Sequence, residues 1–172
     1  TWPLEAMTIC DRHEPTLCRA QDRAYATSHS VPVACVRLDA GNSDALETLC
    51  HNHDLIVSGL PWEAHRLLLE ASFAAGKTVL SLARPDYCEV PALHERAKAC
   101  GVMNVFGCGL EPGLTEVFGR YLAESLDEPH ELHIRCGGIP KSPAPPFGYK
   151  VVFGGNEVPF DLRDSYVVEG GT

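Results

Sequence analysis

Two acids stand at the ends of consecutive apolar runs. "MTIC" stops at Asp11, followed by Arg12, and "VPVACVRL" stops at Asp39, followed by Ala40. A carboxylate at a strand end can accept hydrogen bonds from both hydroxyls of a nucleotide ribose. A neighbouring arginine can stack on a base or meet a 2′-phosphate, and an acid at the next strand end falls where an adenine would lie. Asp11 can equally be a surface acid, or a cap for the helix that follows. A third run, "DLIVSGLP", ends in Ser58, Gly59, Leu60 and Pro61. A fourth, "VMNVF", enters "GCGLEPG" (107–113) and then the amphipathic stretch "LTEVFGRYLAESL".

Strand, glycine turn and helix are the layout of a phosphate-binding loop. Residues 107–113 do not meet its demands. Their spacing is G-x-G-x-x-x-G, and Glu111 would set a carboxylate against incoming phosphates. The next apolar run, "ELHIRC", leads into Gly137 and Gly138 and not into an acid. If Asp11 binds a ribose, the first strand and its glycine loop are expected to lie outside this chain. "TWPLEA" is then read as the tail of the helix that followed them, and the chain as a fragment or truncated product.

Other residues offer weaker chemistry. Lys141 and Lys150 can shuttle a proton or bind a carboxylate, or simply be solvated; Tyr149 alternates with Lys150 and so faces the other side of a strand. His130 and His133 flank the expected domain boundary and are candidates for acid–base work. "CHNHD" (50–54) cannot aim adjacent residues at one metal ion and reads as a connection, so no metal site is expected. His65 reads as surface or helix packing.

The elements that must position these residues alternate. Strands are expected at 6–10, 31–38, 54–61, 77–83 and 102–107. Helices are expected at 14–29, with Pro15 in the first turn, at 42–53, capped by Asn42 or Ser43, at 62–76, closed by Gly76, at 90–101, and after 113. Such alternation means βαβ units and a parallel sheet. The fold expected is α/β: an incomplete Rossmann-like, doubly wound parallel sheet lacking its first strand over 1–127, then part of a second α/β domain over 128–172. There "ELHIRC", "YKVVFG" and "EVPFDLRDSYVVEGG" suggest strands or turns around the Gly- and Pro-rich "GGIPKSPAPPFG".

Composition narrows the class. The 172 residues carry a net charge of −9, which disfavours a nucleic-acid partner. No apolar run approaches the ~18 residues of a membrane span, and "TWPLEAMTICDR" has no basic leader before an apolar stretch. Eight cysteines without a CxxC pair read as reduced, structural thiols of a cytoplasmic protein.

"DLIVSGLPWEAH", "GCGLEPGLTEVF" and "CGGIPKSPAPPFGYKVVF", in this order, resemble the saccharopine dehydrogenase-like family, in the flavour of its lysine 6-dehydrogenases. The resemblance covers roughly residues 6 to 155, and the last string is its most specific part. It implies NAD(P)-linked hydride transfer at an amine-bearing carbon of a lysine-related amino acid, with NAD or NADP as cofactor and a homodimer in the full-length form. It implies that Asp11 holds the adenosine ribose, that Asp39 and Ala40 lie near the adenine, and that Ser58, Gly59, Leu60 and Pro61 line the cofactor further on. Gly109, Glu111, Pro112 and Gly113 would floor the site, Glu111 pairing with a substrate ammonium or merely serving the helix start. A non-catalytic oligomerisation or binding module, left after loss of the phosphate loop, is the alternative.

Overall fold

The structure, a computed structural model, describes residues 4–27, 31–135, 140–145 and 148. The chain divides into two compact units, Thr1–Leu132 and His133–Thr172.

The first unit is built from parallel βαβ steps. Strand β1 (Met7–Asp11) is followed by α1 (Glu14–Thr27) and β2 (Val33–Arg37). Helix α2 (Ser43–His51) leads to β3 (Leu55–Ser58), α3 (Trp62–Ala75) to β4 (Thr78–Ser81), and α4 (Val90–Cys100) to β5 (Asn104–Val105); α5 (Leu114–Glu124) closes the series. A helix between every two strands returns the chain to the same end, so the pairs are parallel. Met7 faces Val33 and Asp11 faces Arg37; Leu55 faces Thr78, Ser58 faces Ser81, and Val79 faces Asn104.

Local chemistry sets the element ends. Asn42, not Ser43, caps α2: its Oδ1 accepts from the Ala45 amide at 3.1 Å. Gly76 ends α3 at φ 65, a left-handed turn that costs a residue without Cβ nothing, and the Lys77 amide returns to the Ser72 carbonyl at 2.9 Å.

Strands β1 and β2 form one sheet and β3, β4 and β5 another. A doubly wound sheet of order 3-2-1-4-5-6 places its first strand in the middle. The five strands here fill the outer positions, and the break between β1 and β3 falls at that middle place. This is the fold expected from the sequence, an incomplete Rossmann-like sheet without its first strand. Across the break, His53 joins the two sides. Its Nδ1–H donates to the Leu49 carbonyl at 2.8 Å, so Nε2 accepts from the Thr8 hydroxyl at 2.8 Å.

The core lies on one face of β3 and β4. Leu46 and Cys50 of α2 meet Leu68, Leu69 and Phe73 of α3 over Ile56 and Val79, with Ala97 of α4 beside them. Burying each large apolar side chain contributes roughly 1.5–3 kcal/mol. On β3 the burial alternates: Ile56 and Ser58 are buried, while Leu55 and Val57 are 47% and 65% exposed. The helices thus cover one side of β3 and leave the other open. Helix α5 likewise shows solvent an apolar stripe, Leu114, Val117, Phe118, Tyr121 and Leu122.

Several expectations are corrected. Residues 4–6 are not helical and lead straight into β1. The strand expected at 102–107 is only Asn104–Val105, because the Gly107 and Cys108 amides turn to the carbonyls of Ala83 and Ser81 (3.2 and 2.8 Å). "ELHIRC" is irregular over 131–135, where Leu132 and Ile134 are exposed and no strand pairs with them among the described residues. "YKVVFG" and "EVPFDLRDSYVVEGG" lie outside the described residues. No helix among those described is long and apolar enough to cross a membrane.

Candidate functional site

A cavity of about 530 Å³ opens at the carboxyl ends of β1 and β3, beside the break in the sheet. That is within the range of ligand pockets, about 300–1,000 Å³, and at the sheet end where open α/β folds bind ligands. Asp11, Arg12, Asp39 and Ala40 line it from the β1 and β2 side. Ser58, Gly59, Leu60 and Pro61 line it from the β3 side. Eight residues drawn from three strand ends are thereby brought together.

Each acid is partly engaged. Asp11 Oδ1 accepts from the His13 amide at 2.8 Å, a turn that starts α1, and Oδ2 has no protein partner among the described residues. Asp39 Oδ1 accepts from the Gly41 amide at 2.9 Å, which folds the β2–α2 connection over the cavity edge. The two strand ends are tied by the Leu38 amide to the Asp11 carbonyl (3.1 Å) and by Arg37 Nε to the Arg12 carbonyl (3.3 Å). The Cys10 thiol, also in the lining, is pushed up from its ordinary pKa by burial and then by Cys35.

The glycine turn is a separate structure. The Gly109 amide donates to the Pro112 carbonyl at 3.0 Å and the Leu114 amide to the Gly109 carbonyl at 2.9 Å, so the loop closes on itself. Gly113 has φ 138, and a Cβ there would collide with the carbonyl oxygen of Gly109. Only glycine fits. The Gly113 amide donates to Glu116 Oε2 at 2.6 Å, and this bond, with one from Thr115, holds the Glu116 carboxyl below its usual range. The single Thr115 proton is shared with Glu111, whose side chain lies against it at the helix start. Neither Glu111 nor Gly109, Pro112 or Gly113 lines the cavity. Lys141 is exposed in the second unit, and Lys150 lies outside the described residues.

The remaining histidines divide. His51 sits 3.7 Å from Glu47 on the surface of α2, and His53 bridges to Thr8. His65 is the surprise: it is fully buried, with Nδ1 2.8 Å from Ser58 Oγ. Burial lowers its pKa to about 4. The signal was in the sequence, since residues 65, 68, 69, 72 and 73 form one helical stripe and all five are buried. Ser81 Oγ and His65 Nε2 are buried without a partner among the described residues.

The chain is therefore an α/β, Rossmann-like unit with a cavity at its strand ends, and its similarities agree with that class. It is 28% identical to the Schizosaccharomyces pombe saccharopine dehydrogenase [NADP(+), L-glutamate-forming] over 160 residues, 86% of this chain and 34% of that protein. It is 33% identical to the carboxyaminopropylagmatine dehydrogenase of Synechocystis sp. over 125 residues, 66% of this chain and 31% of that protein. Among solved structures, the apo histidine-tagged saccharopine dehydrogenase (L-Glu forming) from Saccharomyces cerevisiae superposes with a TM-score of 0.50 at 15% identity, over 70% of this chain and 30% of that one. No protein-family model matches. By sequence, then, the chain resembles saccharopine dehydrogenases over most of its length, and its fold is like that of one of them. It spans about a third of the length of these relatives.

Proposed function

We propose that the chain is the nucleotide-binding part of an NAD(P)-dependent oxidoreductase of the saccharopine dehydrogenase type, acting at an amine-bearing carbon of a lysine-related amino acid. The single observation that carries this reading is the meeting of Asp11, Asp39 and the Ser58–Pro61 turn in one cavity at the carboxyl ends of parallel strands.

The donor and acceptor set suits the adenosine half of a dinucleotide. The free oxygen of Asp11 can accept a ribose hydroxyl, and a charge-assisted bond of that kind is worth about 1.5–3 kcal/mol. Arg12, exposed next to it, is the group able to meet a 2′-phosphate, which would favour NADP. The Ser58–Pro61 turn offers its backbone on the far side. The nicotinamide would supply hydride chemistry when bound; the chain supplies orientation. The diphosphate would need further amide donors at the break between β1 and β3. Glu111 is proposed to meet the substrate ammonium, with Lys141 and Lys150 as carboxylate-binding or proton-carrying groups. A cytoplasmic homodimer is the proposed setting of the full-length enzyme.

Titration of the isotope-labelled chain with NAD and with NADP, followed by amide chemical shifts, tests the reading. Shifts confined to residues around Asp11, Asp39 and Gly59, saturating in the millimolar range, are expected. Shifts elsewhere, or none at 10-fold excess over that range, would leave the non-catalytic binding module in its place.

A further inference from the structure

The Ser58–Pro61 turn has an unusual support. On the cavity side it is open: nothing lies within 4 Å of where a Gly59 Cβ would stand. It is held from behind, at both ends, by one residue of α3. The His65 amide donates to the Pro61 carbonyl at 2.9 Å, and the His65 ring meets Ser58 Oγ at 2.8 Å. Ser58 Oγ also accepts from the Leu60 amide at 3.3 Å, so its own proton is available to His65 Nδ1. The same oxygen has a second lone pair for an Nδ1–H, so the bond to the neutral ring stands in either tautomer. Trp62 and Phe106 fix the ring plane, with centroids 5.3 and 6.2 Å away. The Ser58 carbonyl is meanwhile tied to the Leu82 amide at 3.0 Å.

We propose that His65 is a positioning residue, whose ring holds the Ser58–Pro61 turn in the shape it presents to the cavity. Its importance for a nucleotide rests on the function proposed above; its effect on the turn does not. A buried imidazole is a costly way to fill a core position that a leucine would fill, unless its hydrogen bond is used. Here the bond reaches the one side chain that also organises the Leu60 amide. A Ser58 hydroxyl left without it would be free to rotate, and the turn would keep only its backbone ties.

Amide hydrogen exchange of the chain, measured residue by residue near neutral pH, is the test. His65→Leu keeps the volume and removes the bond; His65→Asn places an amide where Nδ1 stands; Ser58→Ala removes the other partner. His65→Leu is expected to speed exchange at Leu60 at least tenfold while leaving Leu69, deep in the core, within about threefold. His65→Asn is expected to restore most of the protection. Ser58→Ala should reproduce the loosening, and the double variant should add nothing to it. Unchanged Leu60 exchange in His65→Leu overturns the proposal; Ser58→Ala, which removes the Leu60 acceptor itself, sets the upper limit of the loosening, and His65→Phe, which keeps a ring without its nitrogens, decides the matter if the leucine variant does not fold. Loosening in the variants, with no NADP-induced shift at Gly59 in the parent chain, supports His65 as the support of the turn and counts against the nucleotide reading only.

Discussion

Asp11 closes β1 with one carboxylate oxygen bound 2.8 Å from the His13 amide and the other without a protein partner among the described residues. One side chain thus starts a helix and still offers an acceptor at the rim of the sheet. Asp11→Asn keeps the turn but loses the charge. It is expected to weaken NAD(P) binding about tenfold, the size of a lost charge-assisted bond, and to change stability by less than ~1 kcal/mol. Calorimetric titration beside a thermal melt separates the two effects.

Gly113 and Gly59 should respond in opposite ways to the same added methyl. Gly113→Ala drives a Cβ against the Gly109 carbonyl in a conformation at φ 138 and should cost roughly 2 kcal/mol or more. Gly59→Ala meets open space and should change stability by less than ~1 kcal/mol. Urea unfolding of both variants checks the contrast.

His65 links stability to pH. Its pKa falls from 6.5 to about 4 on folding, because burial penalises the imidazolium. Between those values the unfolded chain holds more protons than the folded one, so stability drops as pH falls from about 6.5 towards 4. The gap corresponds to about 3 kcal/mol in full. Above pH 7 the group contributes no slope. His65→Asn should flatten this part of a stability–pH curve obtained by urea unfolding at successive pH values.

Leu69 is 1% exposed at the centre of the α3 stripe. Leu69→Ala should lower stability by about 2–5 kcal/mol, the usual cost of a buried leucine truncated to a methyl. Differential scanning calorimetry against the parent chain gives the value.

What the sequence revealed, and what it withheld, follows from range. The helix ends at Gly76 and Asn42 were legible because caps are local. The acids at 11 and 39 were legible as strand-end residues because each follows its own apolar run. Their meeting with Ser58–Pro61 needed the sheet order, which pairs residues some 20 to 50 positions apart. His65 reads from the sequence as surface or helix packing, and the structure shows the packing. Its place in the stripe with Leu68, Leu69, Ser72 and Phe73 was readable, but its bond to Ser58 depends on how α3 lies over β3. The "ELHIRC" strand shows the converse: alternation proposes a strand, only a neighbouring strand makes one, and none pairs with residues 131–135 among the described residues.

Trp62 stands on the His65 ring, with its own Nε1–H held by Glu89 at 3.0 Å. A protonated imidazole draws electrons from an excited indole, whereas a neutral one does so far less. The chain has only two tryptophans, so Trp2→Phe would isolate this one. Its emission would then serve as a built-in optical gauge, dimming as acid reaches the ring and brightening when the pair separates.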